Sequence, residues 1–387
     1  MKALVAGAGI AGLATGIALR QAGFDVEVFE RSSELREIGA GLMIWPNGSR
    51  SLKALGVTIK AQSITKLSVC SWRGRLVNDY PLRAIAERYD SEITFVHRAE
   101  LQTALANRFG RDGIHLGAGV SGFNEKAAGV EIILRDGSVA EGGAIVGADG
   151  LRSSVRSQLL SDGDPIYLGS TIWRGVADGR GLPFPNEAVV NWVGPGSEFI
   201  AAPLVDGRVY WAGVTKEPRG EKPGPRGHRG DLEQRFSGWV QPVPALIAAT
   251  EEGAILRNDM YDRARVRRWS AGRVTLVGDA AHPMTPNSGQ GACQALEDAV
   301  ALGDSLQRAP NLTEAFGMYE RRRLKRANRV VAMSRQGTRA TQIENLVLCA
   351  LRDSVAGLVA GRLFMRAMDA VLAESPPPAV IDGEIHL

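Results

Sequence analysis

Gly7, Gly9 and Gly12 stand in the run Gly7-Ala8-Gly9-Ile10-Ala11-Gly12, directly behind the apolar stretch Lys2-Ala3-Leu4-Val5-Ala6. This is a spacing that can bind a pyrophosphate. The first glycine permits a tight turn and the second lets backbone approach the phosphates. The third lets the following helix pack on the strand, so that the unpaired N–H groups of its first turn face the anion. Glu30 ends a second strand, Val26-Glu27-Val28-Phe29, where it can accept hydrogen bonds from a ribose 2′-hydroxyl. An acid there disfavours a 2′-phosphate and leaves NAD or FAD, an exclusion that the adjacent Arg31 softens.

Two further turns follow apolar strands of the same kind. Ala144 to Ala148 ends on Asp149-Gly150, and Arg273 to Val277 ends on Gly278-Asp279. Ligands of open α/β sheets bind at the carboxyl ends of strands, so acids placed there can bind hydroxyls or shape the turn. The remaining chemistry-bearing residue types are sparse. Cys70, Cys293 and Cys349 lie far apart without a CxxC spacing, which implies no disulfide framework, no metal site and a reducing, cytoplasmic compartment.

The 387 residues carry a formal charge of +4, small for this length, with 44% apolar and 23% charged residues, as in an ordinary globular enzyme. Basic clusters occur at Arg263, Arg265, Arg267 and Arg268 and again at Arg321, Arg322, Arg323, Lys325 and Arg326. They lack the interleaved aromatic residues of a nucleic-acid surface and read as solvated helix faces, or as a field attracting an anionic nicotinamide cofactor. The N-terminus reads as strand and turn rather than as a secretory signal, and no run has the length of a membrane span.

The elements that must position these residues divide the chain. After Glu30, Leu35 to Gly48 is a glycine-rich apolar loop able to lie flat on a planar ring, followed by a short helix from Ser49 to Leu55. Strands are expected at Leu67–Trp72 and Arg75–Tyr80, a helix at Arg98–Phe109, and strands near Ile114–Leu116 and Val130–Leu134. From Tyr167 to Tyr261 the pattern alternates and is rich in aromatics, interrupted by a Pro/Gly/Arg-rich loop at 217–230 and a helical region from Asp231 to Ala249. Long helices fill the rest to about Leu372, and Pro376-Pro377-Pro378 opens a tail. The fold class is therefore α/β. A Rossmann-like domain (1–70, 98–162 and 263–335) accepts an inserted, mainly antiparallel β-sheet domain for substrate (71–97 and 163–262). Helices at 336–375 and a tail at 376–387 complete the chain.

The three motifs together resemble the single-component FAD-dependent aromatic hydroxylases, the group A flavoprotein monooxygenases that include para-hydroxybenzoate and salicylate hydroxylases. The resemblance rests on the glycine run, on Gly147-Ala148-Asp149-Gly150-Leu151-Arg152-Ser153-Ser154-Val155-Arg156, and on Gly278-Asp279-Ala280-Ala281-His282-Pro283-Met284-Thr285-Pro286 leading into Gly289-Gln290-Gly291. It implies an enzyme that uses FAD, NADH or NADPH, and O2 to hydroxylate an aromatic or electron-rich ring through a flavin C4a-hydroperoxide. Epoxidation on the same fold, a flavin-linked reductase or dehydrogenase without oxygen insertion, and a flavin-binding protein without catalysis are the alternatives. Monomer and homodimer are both open.

Carried onto this chain, the resemblance implies that Gly12 and Glu30 hold the ADP half, Arg98 reaches the pyrophosphate and Val120 lies by the adenine. Met43 meets the flavin through its backbone, Asp149 serves both FAD and the nicotinamide cofactor, and Asp279 binds the ribityl or pyrophosphate portion. Pro286 walls the dry pocket above the ring, which protects the reactive oxygen adduct from water. The helix behind Gly289 and Gly291 aims its positive end at the flavin pyrimidine. His282 reads as a structural hydrogen-bonding residue rather than a base. Substrate contacts are sought among Arg174, Trp192, Glu198, Phe199, Tyr210 and Trp211. Strand alternation allows only one of Tyr210 and Trp211 to face the pocket, and Tyr210 is preferred. Arg174 suits a carboxylate or phenolate oxygen, with a structural Arg174–Glu198 pair as the alternative. Glu198 stands where several relatives that take anionic aromatics have a basic residue, which argues against a simple benzoate.

Overall fold

A computed structural model describes residues 1–35, 41–355, 361–373, 380–381 and 384–385. Its centre is the strand Lys2–Ala6, in which Ala3, Leu4, Val5 and Ala6 are all fully buried. Only a strand covered on both faces can carry so unbroken an apolar run. It sits in the middle of a five-stranded sheet, flanked on one side by Asp25–Phe29 and Ile114–His115 and on the other by Ala144–Gly147 and Val274–Leu276. Every neighbouring pair is parallel. The chain leaves the central strand for Asp25–Phe29 but later returns on its opposite edge, and this change of direction opens a crevice at the carboxyl ends.

The helix Ile10–Gln21 packs on the central strand and against the helix Gly291–Arg308. Two glycines set that approach. Gly7 has φ +99°, and a Cβ on it would lie 2.5 Å from the Ala148 carbonyl oxygen. A Cβ on Gly12 would lie 1.8 Å from the Gly7 carbonyl oxygen, so the helix can begin at this depth only without a side chain there. A three-stranded antiparallel sheet, Val120–Lys126, Gly129–Leu134 and Val139–Gly142, packs into the same core through Phe123, Val130 and Ile132.

The second large sheet has seven strands in the order Leu256–Asp262, Ile166–Asp178, Arg208–Lys216, Glu198–Pro203, Ala188–Val193, Lys66–Ser71 and Leu76–Pro81. All pairs are antiparallel except Ala188–Val193 with Lys66–Ser71. Alternation gives it two unlike faces. Trp173, Phe199 and Trp211 join Leu232, Phe236, Val243, Leu246 and Ile247 in one buried cluster. Leu232, Val243, Leu246 and Ile247 come from the helices Gly227–Arg235 and Val243–Ala248, and Phe236 caps the first of them; these are the two short elements into which the helical region expected from Asp231 to Ala249 resolves. Each of these large side chains contributes on the order of 2 kcal/mol by its burial. The other face, with Tyr210, Ala212, Ala202 and Ile172, meets Phe95 and Met43.

The glycine-rich segment after Glu30 is not all loop. Gly41–Ile44 is a strand paired with Thr94–His97, while 36–40 lie outside the described residues. The next helix begins at Pro46 rather than Ser49, because proline preorganises the first helical position. The helix Arg98–Phe109 falls where the sequence predicts it. The C-terminal part is helical at Leu312–Thr341, Leu346–Val355 and Gly361–Leu372. No helix among the described residues is long and apolar enough to cross a membrane.

Candidate active site

A cleft of about 500 Å³ runs along the carboxyl ends of the parallel strands and reaches the face of the seven-stranded sheet that carries Arg174 and Tyr210. Gly7, Gly9, Glu30, Arg31, Met43, Arg98, Val120, Asp149, Asp279, Gly289 and Gly291 line it, together with Arg174, Tyr210 and Pro286. Gly12 does not. It lies inside its helix against Gly7 and acts on the cleft only through packing.

The parallel-sheet end is built mostly from backbone. Gly9 precedes the first helix without any side-chain cap, no acid occupies the first turn, and the positive helix end is directed at the cleft. The Glu30 carboxylate accepts the Ala8 N–H at 2.8 Å and the Ser32 N–H at 2.9 Å, which ties the second strand end to the glycine turn. One Asp149 oxygen accepts the N–H groups of Ser154 and Val155, at 2.7 and 3.3 Å, at the start of the helix Ser154–Leu160. Its other oxygen, Oδ1, is buried without a partner, and burial pushes the Asp149 carboxyl above the usual carboxylate range. A buried orphan acceptor at a cleft wall is costly unless a donor arrives, and a cofactor hydroxyl is such a donor. Gln102 repeats the theme: its amide donates to Ala8 O at 2.9 Å while Oε1 remains unpartnered.

Behind the turn at Gly278-Asp279 lies a buried charge network. His282 Nε2 is 2.5 Å from Asp298 Oδ2, which also accepts the Gly278 N–H at 2.9 Å, and Arg323 Nε donates to Asp298 Oδ1 at 2.7 Å. Burial would raise Asp298, but His282 and Arg323 outweigh it and hold the carboxyl at about 2. Arg323 and Arg326 both bind Glu297, which also accepts from Asn47, and Asn47 in turn donates to Gln290 at the start of the helix Gly291–Arg308. His282 therefore holds the turn from behind and does not line the cleft. Of the two basic clusters, Arg265, Arg267, Arg268, Arg321, Arg322 and Lys325 are exposed as expected of solvated faces, whereas Arg263, Arg323 and Arg326 are buried and depart from that reading. Arg263 binds Asp162 and the Leu151 carbonyl. Their counter-charges lie far away in the chain, although Glu297-Asp298 between the apolar stretches Ala295-Leu296 and Ala299–Leu302 is a signal that some cation must reach them.

At the sheet end, Tyr210 and Trp211 do point to opposite faces, with Tyr210 on the cleft side. Burial pushes the Tyr210 phenol up to about 12, against a smaller opposing pull from Arg174. Arg174 donates to Asn258, and its Nε is buried without a partner. The structural Arg174–Glu198 pair is not formed. Glu198 is buried behind the cleft and accepts from Asn287 Nδ2 at 2.7 Å, and burial raises its carboxyl. Trp192, Phe199 and Trp211 are corrected as substrate contacts, since the alternation turns them into the helix-covered core. Met284, Thr285 and Ile172 line the cleft as well and were not singled out in the sequence. Cys293 beneath it is a buried, inert thiol, raised to about 12 by burial.

A family profile described as FAD binding domain matches residues 1–334. The chain belongs to this family. It is 40% identical over 362 residues to the aurachin C monooxygenase/isomerase of Stigmatella aurantiaca, covering 92% of this chain and 93% of that protein. It is 34% identical over 342 residues to the FAD-dependent urate hydroxylase of Klebsiella pneumoniae, covering 87% and 89%. Its fold matches Klebsiella pneumoniae HpxO complexed with FAD and uric acid with a TM-score of 0.89 and 32% identity, covering 96% of this chain and 97% of that one. The protein is an FAD-dependent monooxygenase of the group A type.

Proposed function

We propose that this monooxygenase hydroxylates a planar, electron-rich aromatic or heteroaromatic compound bearing one anionic or hydrogen-bond-accepting oxygen, with NADH or NADPH as reductant. The reading is carried by one observation: a single cleft joins four strand ends suited to a dinucleotide to a sheet face that presents one guanidinium and one phenol. The names of the relatives support it, since urate and hydroxybenzoate are substrates of this description.

Gly7, Gly9 and the first turn behind them would receive the pyrophosphate, Glu30 and Arg31 the adenosine ribose, and Val120 the adenine edge. Asp149 Oδ1 and Asp279 offer acceptors to hydroxyls between the two ends. Gly289 and Gly291, with the Met43 backbone, face the ring system. FAD, when bound and reduced by the nicotinamide, supplies the activation of O2. The protein supplies the rest. Arg174 holds the substrate oxygen by charge, and an electron-rich ring is what electrophilic oxygen transfer requires. Tyr210, neutral with its phenol near 12, donates or accepts a hydrogen bond without competing as an anion. Pro286, Met284 and Ile172 form an apolar wall that excludes water.

Purified protein should carry FAD. A panel of hydroxylated aromatics, quinolones and purines should contain members that accelerate NADH or NADPH oxidation and acquire labelled oxygen from 18O2. Flavin that neither nicotinamide reduces with any member, or product free of label, would overturn the reading.

A further inference from the structure

The helix Leu346–Val355 is turned inside out. Its inward side carries Cys349, Arg352 and Asp353, with Arg352 Nη2 2.8 Å from Asp353 and Arg352 Nη1 donating to the carbonyls of Gly194 and Ala340 at 3.4 and 3.3 Å. Its outward side carries Leu346, Val347, Leu348, Leu351 and Val355, which are 65%, 76%, 51%, 58% and 48% exposed. A helix resting on a protein core normally does the reverse. Beside it lies the hairpin tip between Lys66–Ser71 and Leu76–Pro81, joined through Arg75, 3.7 Å from Asp353. That tip adds Leu76, 56% exposed, and Arg73 laid over the Trp72 ring at 4.7 Å.

We propose that this helix is a docking surface for an anionic lipid bilayer, lying in the plane of the interface with its aliphatic side in the acyl boundary. Aliphatic side chains on one side of a helix, an aromatic at its edge and a basic rim are what an interfacial helix requires. The rim carries more cations than acids: Asp353 is shared by Arg352 and the exposed Arg75, Glu344 pairs with Lys216 at 3.1 Å, and Arg73 and Arg339 are exposed as well. A second copy of the chain fits less well. The aliphatic patch is on the order of 500 Å², enough to mark a contact site but short of the ~800 Å² that each partner gives to a stable protein interface. Two copies meeting here would also set the same arginines against one another, whereas anionic headgroups neutralise them.

Flotation of the full-length, FAD-loaded protein with vesicles decides the matter. The protein should rise with phosphatidylcholine vesicles containing phosphatidylglycerol, rise at least several-fold less with phosphatidylcholine alone, and be partly released by high salt. A Val347→Asp/Leu351→Asp double variant should lose flotation at least tenfold while keeping its bound flavin and melting temperature. Arg73→Gln/Arg75→Gln should lose several-fold on the anionic vesicles. Wild-type protein that stays at the bottom of every gradient, or a double variant that floats like wild type, overturns the proposal. So does a concentration-dependent dimer in light scattering that the double variant abolishes, which would assign the face to a second copy. Vesicle binding seen only after removal of residues 374–387 would assign it to the chain's own tail and equally overturn it.

Discussion

The two ends of the cleft are made of different material. At the parallel-sheet end the functional groups are backbone N–H donors, glycine-shaped space and three acids at strand ends, all held by the innermost part of the fold. At the antiparallel-sheet end they are side chains: Arg174 and Tyr210 stand on a sheet whose opposite face is a dense aromatic core, and Pro286 faces the same cleft from the turn Pro286–Ser288. A cofactor common to a whole family can be gripped by geometry that tolerates no change. A substrate is recognised by groups that can be exchanged without disturbing the scaffold, because alternation separates the pocket residue Tyr210 from the core residue Trp211 by a single position.

Breaking the first end should therefore cost most. Gly12→Val places a side chain where a Cβ alone meets the Gly7 carbonyl at 1.8 Å. The expected result is protein that retains less than a tenth of its flavin, measured by the flavin released on denaturation, and is destabilised by several kcal/mol. Flavin content unchanged in this variant would show that the glycine turn is not the cradle. The charge network behind the turn comes next. Arg323→Met removes the one cation that buried Asp298 and Glu297 share, leaving His282 beside the first and Arg326 beside the second, at a cost of about 3–5 kcal/mol and a melting temperature lower by roughly 5–10 °C. Its pH dependence has a definite sign. Asp298 lies at about 2 in the folded protein against about 3.9 when unfolded. It thus contributes stability that is complete above the unfolded value and is lost as pH falls through about 2. Removing Arg323 should move acid unfolding to higher pH, read by circular dichroism.

The same contrast explains what could be read from the residues. The glycine run, Glu30, Asp149-Gly150 and Gly278-Asp279 were legible because tight turns and strand ends need particular residue types at particular spacings. The sheet end was legible only as pairs. Period two shows that Tyr210 and Trp211 diverge, but which set meets the cleft depends on the helices Gly227–Arg235 and Val243–Ala248, later in the chain, that cover the other face. Trp192 and Phe199 were drawn toward the substrate for want of that information. Gly41–Ile44 passed for loop because its pairing partner Thr94–His97 lies fifty residues away and its glycine argues against a strand. Arg323 and Arg326 passed for surface because a buried cation is recognised only when its carboxylates are known to be near.

Three substitutions on the seven-stranded sheet sharpen the comparison across its thickness. Trp211→Ala should cost about 3–5 kcal/mol, since it empties a fully buried site stacked on Phe199 at 5.3 Å. Turnover per folded molecule should stay near wild type. Arg174→Gln should do the opposite, with stability almost unchanged and KM for an anionic substrate raised on the order of tenfold, as loss of a charge-assisted hydrogen bond predicts. A Trp211 variant that raised KM as much as the Arg174 variant would deny that the two faces act separately.

The smallest effect is expected of Tyr210→Phe, which removes one oxygen from a ring that otherwise packs against Phe95 with centroids 5.5 Å apart. Stability should change by no more than about 1 kcal/mol. Turnover should fall several-fold, with more of the consumed nicotinamide appearing as hydrogen peroxide rather than as hydroxylated product, because the substrate is held less firmly while the wall of Pro286 and Met284 is intact. With burial raising its phenol to about 12, Tyr210 stays protonated throughout the working range, so its loss should scale the pH–rate profile without changing its shape. A basic limb present in the wild type and absent in the Phe variant would mean that the phenolate takes part, and Tyr210 would then be an acid–base group rather than a positioning contact.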